Sequence, residues 1–104
     1  MHYVLLASHN AEVCPTSNAR TRDLMLQMAP EVPKIAQKAG VTIVAGPFVN
    51  REHLIVSIVE TDKAENVDQF LVESRLPQWN NVRVLPSLTM QQAMQEIQGE
   101  TPIF

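Results

Sequence analysis

The chain has 104 residues, 45% of them apolar, with eight Lys and Arg against eleven Asp and Glu for a formal net charge of −3. That length suits a single domain spanning residues 1–104 with one hydrophobic core and no need of disulfides. The acidic balance supplies no basic field for a phosphate backbone, and the apolar opening residues 2–8 lack a basic leader and are too short to span a bilayer, so the expectation is a cytoplasmic protein with neither nucleic acid nor membrane as partner.

Residues 2–8 are rich in β-formers and run into the turn-prone stretch 9–18, which predicts a first strand followed by a loop. From Thr21 the apolar residues Leu24, Met28, Val32, Ile35, Ala36 and Ala39 recur at helical spacing up to Gly40, a residue suited to the left-handed position after a helix. Pro30 and Pro33 each remove a backbone donor, so a kink or two short helices is expected near Met28 to Val32, with a cavity widened beneath the break. Residues 41–45 form a β-branched run closed by Gly46-Pro47, and residues 54–59 form another, joined to it by a short polar link that implies a hairpin. Asp62 and Glu65 have the spacing of a capping box for a second helix that packs Val67, Phe70, Leu71 and Ser74. After a break at residues 77–81, residues 82–85 alternate as a last strand halted by Pro86, which fits a sheet edge. Thr89 can cap a terminal helix carrying Met90, Ala93, Met94 and Ile97.

The order is β-α-β-β-α-β plus a C-terminal helix: an α+β, ferredoxin-like split βαβ fold with a four-stranded antiparallel sheet. Strands one and three belong at its centre and are apolar on both faces, whereas the helices cover only one. Self-association through the other face, as a homodimer, is the expected way to cover it. Met25, Met28, Met90 and Met94 read as core or dimer packing, and Ile103 and Phe104 as a tail that docks on a partner subunit or frays.

The opening Tyr3-Val4-Leu5-Leu6-Ala7, the passage from Ala39 through Gly46-Pro47-Phe48, and the closing Val82-Arg83-Val84-Leu85-Pro86-Ser87 resemble the dimeric α+β barrel superfamily, in particular its small YciI-like and GYD-type proteins. The resemblance covers about residues 1–98 and implies fold more than function. YciI-like proteins carry a His early in the first helix and an Asp-Pro pair after the second; here the first helix has no His and the second region reads Glu73-Ser74-Arg75-Leu76-Pro77, so no catalytic residue is carried over.

In this topology the end of strand one meets the start of strand three, which gathers His9 and His53 on one rim with the loop bearing Cys14. Two imidazoles and a thiolate suit zinc or copper, with Glu12 or water as the fourth ligand. The alternative is a cross-strand histidine pair at the solvent edge beside an inert cysteine. Cys14 is also a candidate nucleophile, its thiolate favoured by Arg20, Arg22 or the first helix's positive end. Asn18, Arg22, Arg51 and Trp79 surround the rim as candidate residues for a small, anionic or organic ligand. Three functions therefore stand open: a homodimeric binding protein for a metal ion or small ligand, a small-molecule enzyme using Cys14 or a histidine, and a structural module whose role is association alone.

Overall fold

The computed structural model describes residues 1–99, so the docking role expected of Ile103 and Phe104 lies outside the described residues. Strands β1 (His2–Ser8), β2 (Thr42–Phe48), β3 (Leu54–Glu60) and β4 (Asn81–Ser87) form one antiparallel sheet in the order β2-β3-β1-β4. With helices α1 (Ala19–Met28), α2 (Val32–Ala39), α3 (Ala64–Ser74) and α4 (Met90–Gly99), this is the ferredoxin-like order, its first helix divided in two.

The division has the expected cause. Between α1 and α2 lies a 3-10 turn, Ala29–Glu31, and Pro30 and Pro33 fall in the first positions of the turn and of α2, where a missing N–H leaves no intrahelical bond unmade. Gly40, at φ 78°, ends α2 in the left-handed conformation.

Along β1, Tyr3, Leu5 and Ala7 are buried and alternate with half-buried neighbours, the period of a strand with two unlike faces. Tyr3, Leu5 and Val59 pack against Ala36, Ala39 and Phe70, so the core lies between the sheet and the helices. The opposite face carries Val4 and Leu6, paired across the ladder with Ile58 and Val56, and Leu85 opposite Val4 on β4. It ends on Phe48, which pairs with Val56 and is 59% exposed. Among the described residues no helix buries the middle of this apolar face, where Val4, Leu6, Val56 and Ile58 stay half-buried.

Four local expectations are corrected. Helix α3 starts one residue later than a capping box from Asp62 allows: Lys63 occupies the cap without a side-chain bond, and the Asp62 carboxylate faces the Asn66 amide at 3.5 Å. β2 does not close at Gly46-Pro47 but passes through it to Phe48, with register shifts on either side of Ala45. Gly46, at φ 85°, makes the passage possible, because a Cβ there would sit 2.5 Å from the Val56 carbonyl oxygen. β4 likewise runs one residue past Pro86, whose missing donor is tolerated on an edge strand. Met90 and Met94 are exposed on α4, which overturns the core half of their expected core or dimer packing. That helix is nevertheless capped as expected, and reciprocally: Thr89 Oγ1 accepts from the Gln92 backbone at 3.1 Å, while Gln92 Oε1 accepts from the Thr89 backbone at 3.0 Å.

Among the described residues no helix is long and apolar enough to cross a membrane. The caps give a stability test by urea denaturation. Asn18 Oδ1 accepts from the Thr21 backbone at the start of α1, so Asn18→Ala should cost about 1 kcal/mol. Asp62→Ala, which removes no cap bond, should stay within about 0.5 kcal/mol of the parent.

Candidate metal centre

The rim site begins where β1 ends. The His9 backbone N–H donates to the His53 carbonyl at 3.1 Å, carrying the β1–β3 ladder one step past the Ser8 and Leu54 pair. The two rings therefore lie across from one another, with centroids 5.3 Å apart and planes at 70°. His53 adopts φ 58°, unusual for a residue with a Cβ. Asn50 holds it there: its Oδ1 accepts from the Glu52 and Leu54 backbones, its Nδ2 donates to the Leu54 carbonyl, and its own carbonyl accepts from His53 N–H.

Asn80, buried at 8% exposure, sets the other histidine. Its Nδ2 donates to the Leu76 carbonyl at 3.2 Å, which turns its Oδ1 toward His9 Nδ1 at 2.9 Å. A carboxamide oxygen only accepts, so the proton of a neutral His9 sits on Nδ1 and Nε2 presents a lone pair. That Nε2 is buried and has no hydrogen-bond partner among the described residues. Left alone, such an atom costs about 1–3 kcal/mol, and this is the arrangement in which metal-ligating imidazoles are commonly oriented. Trp79 supports the ring from the side, at a centroid distance of 5.0 Å.

Cys14 is delivered by a loop that is bonded to itself. Asn10 Oδ1 caps a 3-10 turn at Ala11–Val13, and Cys14 N–H closes back on the Ala11 carbonyl. The Cys14 carbonyl then accepts from Ser17 and Asn18, the Ser17 hydroxyl reaches the Ala11 carbonyl, and Asn18 Nδ2 donates to the Glu12 carbonyl. Cys14 is 7% exposed, and its sulfur lies 3.0 Å from the Thr16 hydroxyl. Hydrogen bonds from the Thr16 hydroxyl and backbone, with His53 adding to them and burial opposing, hold the thiol below its ordinary value of 9.0.

One donor atom from each of His9, Cys14 and His53 falls within 4.8 Å of the others. Zinc bonds of about 2.0–2.3 Å place tetrahedral donors about 3.3–3.7 Å apart, so side-chain rotation through about 1 Å closes the set on an ion. The pocket around them, about 190 Å³, is lined also by Met25, Val49 and Trp79. A neighbouring apolar cavity of about 120 Å³ shares those three residues and extends under Met28, Ala29 and Val32, where the break between α1 and α2 was expected to widen one.

Of the residues expected to surround the rim, Trp79 lines the pocket. Asn18 is engaged in capping α1 and bracing the loop, and Arg22 and Arg51 are exposed outside the pocket lining. The Glu12 carboxylate does not belong to the donor group. The supporting residues Asn80 and Thr16 were not picked out from the sequence, and Met25 read there as packing. Asn80 had a signal there: β1 and β4 are antiparallel neighbours with Ser8 opposite Asn81, which puts Asn80 across from His9. Comparison of the chain with protein-family models and with curated proteins finds no match.

The thiol's environment has a measurable consequence in metal-free protein. The pH midpoint for Cys14 alkylation by a small haloacetamide should lie below 9.0. Thr16→Val removes the leading donor and should move the midpoint upward, with slower alkylation at neutral pH; an unmoved midpoint contradicts the Thr16 assignment.

Proposed function

We propose that this protein binds a transition-metal ion, zinc or copper, through His9 Nε2, Cys14 Sγ and a ring nitrogen of His53. The observation that carries the reading is the convergence of these three donors together with the fixed tautomer of His9, whose buried Nε2 otherwise has nothing to bond. A metal supplies the missing partner of His9 Nε2. Scattered rim histidines have no need of a buried carboxamide to hold one ring nitrogen protonated and the other free.

The test is elemental analysis of untagged protein purified without chelators. The parent should carry near-stoichiometric metal, and His9→Ala, Cys14→Ser and His53→Ala should each lose it. Asn80→Ala should retain the three donors yet bind about 10–100-fold more weakly. No metal in the parent, even after reconstitution, contradicts the reading.

A second reading, a small-molecule enzyme with Cys14 as nucleophile, is favoured by the lowered thiol and the adjoining apolar cavity. The two separate on chelation, because a catalytic thiol needs no ion and a ligating one is blocked by it.

The binding protein is further proposed to be a homodimer. The uncovered sheet face is apolar along Val4, Leu6, Val56 and Ile58, and it carries Glu60 and Arg83, opposite charges on one face that make it complementary to a second copy. The resemblance to the dimeric α+β barrel families, YciI-like and GYD-type, supports the same assembly. Ile58 lies in the middle of this face and is not among the residues that line the metal pocket. Ile58→Glu should therefore halve the mass in sedimentation while leaving metal content per chain unchanged; an unchanged mass contradicts the assembly.

A further inference from the structure

The donor set, the lining of its pocket and the charge it can neutralise distinguish among metals. We infer that the site is built for copper(I), with the thioether of Met25 as a fourth, soft donor; the inference rests on the metal-binding reading above and names the ion that reading leaves open.

Charge is the first consideration. The three donors bring a single negative charge, that of the Cys14 thiolate, and no carboxylate belongs to the group or lines the pocket. A monovalent ion bound by one thiolate and two neutral imidazoles forms a complex of zero net charge. A divalent ion leaves one positive charge uncompensated among Met25, Val49, Leu54, Ile55 and Trp79, where burying it is costly. The pocket's composition thus favours the ion whose charge the site can cancel.

Softness is the second. Thiolate and thioether ligands select copper(I), while carboxylate and water suit harder ions. Besides Cys14, Met25 is the sulfur-bearing residue among those lining the pocket. Read from the sequence as core or dimer packing, it is 37% exposed, on α1, and lines both the metal pocket and the apolar cavity. An unbranched side chain with a polarizable sulfur can swing over the three convergent donors from that position. Two imidazoles, a thiolate and a weakly held thioether form a set that copper uses and that zinc does not need.

The test is anaerobic competition for copper(I) against a chromophoric copper(I) chelator, run beside zinc(II) competition on the same preparations. In Met25→Leu, a substitution of similar volume that should leave the thermal melt of the metal-free protein unchanged, copper(I) affinity should fall about tenfold or more while zinc affinity stays the same. Copper K-edge absorption should report two sulfur neighbours in the parent and one in Met25→Leu. If Met25→Leu binds copper(I) as the parent does, with one sulfur neighbour in both, the inference is overturned although Cys14→Ser and His53→Ala still abolish binding. Zinc held more tightly than copper(I) by the parent also overturns it. A parent that binds neither ion removes the metal reading itself.

Discussion

The antiparallel ladder between β1 and β3 does not stop where the strands do. Its last rung, His9 N–H to the His53 carbonyl, fixes two imidazoles opposite each other at the edge of the central strand pair. Every other part of the site is referred to that rung. The loop carrying Cys14 leaves from His9, the Asn50 turn delivers His53, and the antiparallel neighbour β4 brings Asn80 to the far side of His9. A one-residue slip of β1 against β3 would turn the core residues Tyr3, Leu5 and Ala7 to the wrong face. The hydrophobic register that folds the sheet therefore also aligns the donors.

The site holds structure that is unfavourable by itself. His53 adopts a backbone conformation that residues with a Cβ seldom take, and His9 Nε2 is buried without a partner. Such features persist when the surroundings over-determine them, as the four hydrogen bonds centred on Asn50 do for His53. The proposed ion would relieve the second of these, and binding to the folded form alone would stabilise it by mass action, about 2.7 kcal/mol when free metal is about 100 times Kd.

Much of the fold was legible because the signals were periodic. A run of β-formers marked β1, alternation marked β4, helical spacing marked α1 to α3, and two prolines located the break between α1 and α2. The topology then put His9, Cys14 and His53 on one rim before any distance was known. What could not be read depended on details with no period. Asp62 and Glu65 match a capping box, but α3 begins at Ala64, a difference of one residue that the motif cannot detect. Gly46-Pro47 reads as a strand terminator, yet a glycine at positive φ beside the Val56 carbonyl lets β2 continue as a bulged strand. Met25 has the residue type and helical setting of a core methionine; only the direction of its side chain, set by how α1 lies on the sheet, brings it to the pocket. The orientation of Asn80 was hidden for a related reason, since it depends on the Leu76 carbonyl of the preceding 3-10 turn.

Anomalous diffraction from crystals of the metal-loaded protein, measured at the absorption edge of the added ion, tests the central claim most directly. The account predicts one strong peak per chain at the rim, within bonding distance of His9 Nε2, Cys14 Sγ and a His53 ring nitrogen, with His9 Nδ1 still bonded to Asn80. A rim without a peak, or a peak elsewhere such as the His2 and Glu60 pair at the far end of β1, would contradict it.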